Sequence, residues 1–248
     1  MKTIRASIRI FMFAASTLGA YVIWFVGNLL IPNKVYWRQM IFNGWTWTFT
    51  KICGMKIEII GTPPKPPYFL VCNHLSYADM AALRQAAVGV FVAKSEILTW
   101  PLAGAIIKSM GTVFIDRTNR RDIPRAGRQI IERLDAGEGV IVFPEGTTSK
   151  GEEVLPFNSS FLQFAAESDV PVSYAAVTYR TPDGAPPAST YVCWWEDISF
   201  FAHIWRMFKL SGFTTVINFG EAPIKNTDRK ALAAELRQKV SDAFIPVV

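Results

Sequence analysis

Apolar positions along the chain fall into three kinds of run, and each predicts a different element. The first kind is continuous. Residues 10–31 contain no charged side chain, and Lys2, Arg5 and Arg9 precede them. About twenty apolar residues match the hydrocarbon thickness of a bilayer, so a membrane helix is expected there, ended by Pro32 and Asn33. A secretory signal would have a shorter apolar run followed by a small-x-small cleavage pattern, and neither is present. The second kind recurs every four residues. Over 35–52, Trp37, Ile41, Trp45 and Phe49 form one side and Gln39, Asn43, Thr46 and Thr50 the other, which predicts an amphipathic helix. Tryptophans flanked by Arg38 and Lys51 suit the headgroup level. Either the first helix spans the bilayer, or the pair forms a hairpin dipping into one leaflet, and the second helix alone also fits a soluble core.

The third kind is short, apolar and bounded by glycine, proline or polar clusters, the mark of strands. Residues 56–60, 68–72, 90–93, 112–115, 140–143, 172–179, 191–195 and 214–219 read this way. Between them lie helical stretches: 77–87 with Ser76 as its cap, 100–109 with Pro101 in its first turn, 123–134, 160–167, 200–210, and a last helix capped by Thr227 and ending near 244. Residues 61–67 are a stiff proline-rich linker. Strands alternating with helices predict an α/β fold, a mostly parallel central sheet flanked by helices. Residues 1–54 form the N-terminal membrane-attached helical segment and 55–248 the α/β domain.

Composition narrows the class. Half of the 248 residues are hydrophobic, eight are Trp and eighteen Phe, and the net charge is +6. Basic and apolar together suit an anionic membrane surface, so membrane lipids are the expected partner and nucleic acid is not. Cys53, Cys72 and Cys193 are odd in number and widely spaced, which is neither a disulfide framework nor a metal-binding pattern and fits a reducing compartment. With only two histidines, no metal site is expected.

Candidate chemistry gathers at strand ends. His74 and Asp79 follow the apolar strand 68–72. A carboxylate that holds one imidazole nitrogen as a donor leaves the other free to take a proton from a hydroxyl, although a helix-capping turn would contain the same residues. A Gly-x-Ser-x-Gly nucleophile elbow is absent, so the hydroxyl would belong to a substrate. The strand 112–115 leads into Asp116 and Arg117; Arg117 suits a phosphate or an ion pair with Asp116 or Asp122. The strand 140–143 leads into Pro144-Glu145-Gly146-Thr147-Thr148-Ser149, either a hydrogen-bonding loop for an oxyanion or phosphate, or a plain turn. Lys94 ends another strand, as a headgroup ligand or a solvated lysine. Pro171 sets the entry of the strand 172–179 and either lines an acyl pocket or serves shape alone. Around His203, Phe201, Ile204, Trp205 and Phe208 form a helical stripe that fits core packing or membrane contact.

Taken in order, Asn-His-x-x-x-x-Asp from Asn73, Gly-x-x-Phe-Ile-Asp-Arg from Gly111, Phe-Pro-Glu-Gly-Thr from Phe143 and Val-Pro-Val from Val170 resemble the glycerolipid acyltransferase family, specifically the bacterial lysophosphatidic acid acyltransferases. The resemblance covers about residues 55–220. It implies that His74 deprotonates the free hydroxyl of 1-acyl-sn-glycerol-3-phosphate, with Asp79 orienting it, and that the alkoxide attacks an acyl thioester directly to give phosphatidic acid. It implies that Arg117 and Lys94 hold the acceptor's phosphate and that Glu145, Gly146, Thr147 and Thr148 shape the substrate site. The donor would be acyl-CoA or acyl carrier protein, whose phosphate Lys150, Arg120 and Arg121 would suit, and no cofactor would be needed. The setting would be the bacterial inner membrane, with the catalytic domain on the cytoplasmic side. One position departs: members that use lysophosphatidic acid commonly have arginine after Glu-Gly-Thr, and here it is Thr148. Losing a charge-assisted phosphate ligand costs on the order of 1.5–3 kcal/mol if nothing replaces it. Relatives that acylate lyso-ornithine lipid are similar here, so that lipid is the alternative acceptor. A lipid-binding protein without catalysis is the alternative from another class, and it would have no use for a positioned base.

Overall fold

The structure, a computed structural model, describes residues 2–100, 103–116, 122–168 and 170–247. Two helices open the chain, α1 (Lys2–Leu30) and α2 (Lys34–Cys53), joined at Pro32 and Asn33, where the Asn33 side chain accepts from the Tyr36 N–H. Then come β1 (Met55–Ile60), β2 (Tyr68–Cys72), α3 (Ala78–Ala86), β3 (Gly89–Lys94), a 3-10 turn (Ser95–Thr99), α4 (Ala103–Ser109) and β4 (Val113–Ile115). The second half continues with α5 (Asp122–Asp135), β5 (Gly139–Val142), a 3-10 turn (Ser159–Leu162), α6 (Gln163–Glu167), β6 (Val172–Arg180), α7 (Ala188–Tyr191), α8 (Phe200–Phe208), β7 (Phe213–Phe219) and α9 (Arg229–Ala243).

The strands form one sheet in the order β1-β7-β6-β2-β5-β3-β4. All neighbours are parallel except β6 and β7. Every residue of β2 and β5 is buried, as expected for strands covered on both faces. Tyr68, Leu70 and Cys72 of β2 face a core shared with α1, α2, α3 and α8, while Phe69 and Val71 face a second core shared with α5, α6 and α9. After β2 the chain leaves to α3 on the first face, and after the adjacent β5 it leaves to α6 on the second. The crevice between those two strand ends is the topological switch, where open α/β sheets place ligands.

The helical pair is a hairpin laid against the first face. Only Ala6 and Gly27 of α1 are buried, and α1 is long and apolar enough to cross a membrane. The Trp45 indole N–H donates to Thr17 Oγ1 (2.9 Å) and that of Trp37 to the Trp24 carbonyl (3.0 Å), so the tryptophan side of α2 meets α1. The polar side of α2 does not face solvent, as a simple amphipathic helix would have it. Thr46 and Thr50 are buried, Gln85 of α3 donates to the Asn43 carbonyl (3.0 Å) and Thr46 Oγ1 (2.8 Å), and Arg84 donates to the Gln39 carbonyl (2.9 Å). Asn43 and Thr46 find their partner on α3, Thr50 donates to the Trp47 carbonyl of its own helix (2.7 Å), and the Gln39 amide donates to Glu138.

Four local expectations differ from the structure. Residues 191–195 form no strand: the Val192 and Cys193 N–H groups close a helical turn on the Ala188 carbonyl, and the Trp194 N–H donates to the Leu75 carbonyl (2.8 Å). Trp100 is extended (φ −71°, ψ 124°), as a residue before proline prefers, and so is not itself helical; α4 is described from Ala103, and the expected first turn at Pro101 lies outside the described residues. Tyr77, not Ser76, precedes α3; Ser76 Oγ accepts only from Ala78 N–H, at 3.3 Å. Asp228 rather than Thr227 caps α9, its carboxylate accepting from the Lys230 and Ala231 N–H groups.

Candidate active site

Because β2, β5, β3 and β4 run parallel, their C-terminal ends bring His74, Glu145, Lys94 and Asp116 to one edge of the sheet. His74 Nδ1 donates to Asp79 Oδ2 at 2.7 Å. The same oxygen accepts the N–H groups of Leu75 (2.7 Å) and Ser76 (3.0 Å), and Oδ1 accepts the Tyr179 hydroxyl. Asp79 is fully buried at the start of α3, so its position is fixed from four directions. The imidazole stacks on Phe143 (4.0 Å between centroids, 12° between planes), and its side chain keeps 20% of its exposure. With Nδ1–H committed to Asp79, the Nε2 lone pair has no partner among the described residues. That arrangement can take a proton from a hydroxyl and stabilise the imidazolium that forms.

Two loops are joined beneath it. Glu145 Oε2 accepts the His74 N–H (3.3 Å), Oε1 accepts the Leu155 N–H (3.2 Å), and the Ser149 N–H donates to the His74 carbonyl (3.0 Å). Burial pushes the Glu145 carboxyl up to about 8, against the lowering effect of those backbone N–H groups. Gly146 takes a left-handed φ of 72°, and its N–H closes a turn on the Phe143 carbonyl (3.1 Å). Thr147 is exposed, and the Thr148 hydroxyl donates to the Trp194 carbonyl. The Gly146 and Ser149 N–H groups and the Thr148 hydroxyl are thus engaged within the protein, whereas the buried Ser149 hydroxyl has no partner among the described residues.

The remaining candidates divide. Lys94 is exposed at the end of β3 on the same edge. Arg117 lies outside the described residues, as do Arg120 and Arg121; Asp122, one of the two carboxylates named as its ion-pair partner, is held by Arg125 at 2.5 and 2.8 Å, which keeps its carboxyl below the usual range. Of the two readings of Pro171, the entry of a strand stands and the acyl pocket does not. Pro171 precedes β6, whose first residue Val172 pairs with Phe69 near the start of β2, so it sits exposed at the opposite edge and lines no pocket with His74. His203 is no site residue: it is buried, with Nδ1 3.0 Å from the Tyr77 hydroxyl and Nε2 3.0 Å from the Cys193 carbonyl. Burial holds its pKa down at about 4. Among the described residues, no group of three or more His, Cys, Asp or Glu side chains is placed to hold a metal ion.

Three contributors were not found from the sequence. Asn73 is buried, and its amide donates to the Val177 carbonyl (2.9 Å) and accepts the Val177 N–H (2.7 Å), extending the pairing of β2 with β6 by a side chain. Its sequence signals are an Asn set directly after a fully apolar strand and the first place in Asn-His-x-x-x-x-Asp, neither of which says what it bonds. Tyr179 belongs to the inward series Ala175, Val177, Tyr179, which alternation reveals, but nothing in the sequence pairs it with Asp79. Phe143, read as the end of a strand and the first residue of Phe-Pro-Glu-Gly-Thr but given no role, is the surface the imidazole rests on.

The chain is thus an α/β sheet with helices on both faces and a histidine–carboxylate pair at its topological switch. The family profile described as Acyltransferase matches residues 56–177. A 1-acyl-sn-glycerol-3-phosphate acyltransferase of Neisseria gonorrhoeae is 31% identical over 187 residues, 73% of this chain and 72% of that protein. A lyso-ornithine lipid O-acyltransferase of Brucella abortus is 29% identical over 249 residues, covering 94% of this chain and 93% of that protein. The crystal structure of the 1-acyl-sn-glycerophosphate acyltransferase PlsC from Thermotoga maritima superposes with a TM-score of 0.66 at 21% identity, covering 98% of this chain and 97% of that chain, a likeness of fold. The chain belongs to the acyltransferase family.

Proposed function

We propose that the chain transfers an acyl group from an acyl thioester to the free hydroxyl of a lysolipid, with His74 as general base and Asp79 as the group that orients it. The observation that carries this is the 2.7 Å contact between His74 Nδ1 and a buried Asp79, with the opposite ring nitrogen open. The acceptor hydroxyl gives its proton to His74 Nε2 while its oxygen attacks the thioester carbonyl. The tetrahedral adduct then expels the thiolate, which takes the proton back from His74. No acyl-enzyme and no cofactor take part, and acyl-CoA and acyl carrier protein both fit as donor. Glu145 and Gly146 set the loop against His74, and Lys94 with Arg117 supplies positive charge for the acceptor's anionic group. Residues 1–54 attach the protein to the inner membrane, with the domain 55–248 on the cytoplasmic side.

Two acceptors have support. The motif order and the Neisseria relative support 1-acyl-sn-glycerol-3-phosphate. Lyso-ornithine lipid is favoured by Thr148, whose hydroxyl is engaged by Trp194 where a phosphate-binding arginine would stand, and by the Brucella relative that matches nearly the whole chain. An acceptor bearing one carboxylate and one ammonium asks for less positive charge than a phosphate monoester. Crossing the two acceptors with acyl-CoA and acyl carrier protein donors in a radiolabel assay decides between them. Thr148→Arg should raise turnover of the phosphate acceptor relative to the wild type. His74→Ala should lower transfer by about a hundredfold to ten-thousandfold in a protein that remains folded and vesicle-bound. Normal turnover in that variant would refute the mechanism.

A further inference from the structure

Helix α8 joins the candidate site to the hairpin. At its start, the Phe200 ring lies 4.9 Å from Tyr77, three residues beyond His74. At its end, the Arg9 guanidinium of α1 donates to the carbonyls of Leu210 (2.7 Å) and Ser211 (3.1 Å), and the Phe208 ring lies 6.2 Å from Phe13. His203, Ile204, Met207 and Phe208 are buried. Phe201 is 78% exposed, the most exposed large apolar side chain among the described residues. Phe201 and Phe208 are seven residues apart and share a side of the helix, so the Phe201 side is the one that turns toward α1. Trp205 follows one turn after Phe201, and Lys209 one turn after that, its ammonium 5.7 Å from the centre of the Trp205 ring.

This edge continues an apolar surface. Ile4, Ile8, Phe11, Leu18, Val22, Phe25 and Leu29 of α1 are exposed at intervals of three, four and seven, the outward stripe of a helix whose other side meets the protein. Trp205 is partly buried against the core, whereas two exposed tryptophans each carry a lysine at the same range, Trp47 with Lys51 at 5.6 Å and Trp195 with Lys150 at 5.7 Å. All three pairs lie toward the site edge. Lys51 is in the last turn of α2, next to Gly54, whose carbonyl accepts from Phe213 at the start of β7. Because β7 runs antiparallel to β6, that end of β7 is the His74 edge. Lys150 directly follows the loop of Glu145. Tryptophan rings at headgroup depth, with lysines reaching past them to lipid phosphates, are how proteins sit in a membrane interface.

We propose that the outer edge of α8, Phe201 with Trp205 and Lys209, together with the Trp47–Lys51 and Trp195–Lys150 pairs, is a second contact with an anionic bilayer surface that sets the mouth of the candidate site against the headgroup layer. The proposal rests on attachment by the hairpin and goes beyond it: α1 holds the protein on the membrane, and α8 fixes the tilt that lets a lysolipid reach His74 without leaving the interface.

Cys53, Cys72 and Cys193 are buried, so a single introduced cysteine can carry a polarity-sensitive fluorophore. Purified full chain carrying Phe201→Cys, Phe11→Cys or, as a control on exposed α9 surface, Gln238→Cys is mixed with vesicles of phosphatidylglycerol and phosphatidylethanolamine containing a nitroxide-labelled lipid. Blue-shifted, quenched emission at positions 11 and 201 and not at 238 is expected. A shift at 11 without one at 201 overturns the proposal and leaves hairpin attachment standing, whereas no shift at either overturns both. A shift at 201 produced by acidic carrier protein without vesicles overturns it in favour of a protein-docking surface. In activity, the double variant Phe201→Ser with Trp205→Ser should transfer about tenfold less acyl group to acceptor embedded in vesicles, in line with the apolar area lost from the interface, and match the wild type on acceptor dispersed in detergent. Equal losses in both assays would show a folding defect and count against it.

Discussion

Asp79 has no exposure, yet four donors converge on it, one of them from a residue a hundred positions away. Removing one donor leaves a buried carboxylate oxygen without its bond, so Tyr179→Phe should cost about 1–3 kcal/mol of stability. It should also lower turnover by loosening the orientation of His74, read by denaturant titration and by acyl transfer on the same preparation. His203 responds to acid instead. Its pKa is about 4 in the folded chain and 6.5 in the unfolded one. The unfolded state therefore binds a proton that the folded state refuses, and stability present above pH 6.5 is lost as pH falls toward 4, at up to about 1.4 kcal/mol per unit. The raised Glu145 carboxyl acts in the opposite direction between pH 8 and 4.5, so the His203 contribution is read as the difference between wild type and His203→Gln in a thermal-melt series from pH 7 to 4.5, the wild type losing ground to the variant as pH falls.

At the level of elements, β2 and β6 are parallel neighbours whose ladder is continued beyond Cys72 by the Asn73 side chain on Val177. This fixes where β2 ends and hence where His74 begins. Asn73→Ala leaves the Val177 N–H and carbonyl unpaired in the interior, with an expected loss of about 2–5 kcal/mol. Asn73→Asp should recover part of it, since one acceptor remains for the N–H while the carbonyl loses its donor. Helix α2 shows a related point: its polar side is the inner one because Gln85 and Arg84 of α3 supply partners there, while Trp37 and Trp45 meet α1.

For the molecule as a whole, the hairpin lies along one face of the sheet, and the basic start of α1 sits at the edge that carries His74. Apolar side chains and cations thus share one surface, and salt distinguishes their contributions. Raising ionic strength from about 0.1 to 1 M shortens the screening length from about 10 to 3 Å. Binding to anionic vesicles should weaken on that change without being abolished, because the α1 stripe is indifferent to salt; complete release would mean that the attachment is electrostatic alone. Vesicle flotation at the two salt concentrations reads the difference.

The chain by itself determined the α/β class, the apolar N-terminal helix and the four ordered motifs, because hydrophobic periodicity and turn residues are local properties and parallel strands buried on both faces are apolar throughout. It also placed His74 and Asp79 together, since five residues across a turn leave little freedom. Only the tertiary structure decided the partners that arrive from far along the chain: Tyr179 on Asp79, Phe143 beneath the imidazole, Trp194 on the Thr148 hydroxyl, and Asn73 on Val177. The same holds for Pro171, for which the sequence left an acyl pocket or strand entry open and strand direction left only the second. The apolar stretch 191–195 looked like a strand because alternation cannot tell a ladder from a segment whose amides are already bonded nearby. Hydrogen bonds and burial between distant residues depend on register and on strand direction, and neither is written in any one stretch of sequence.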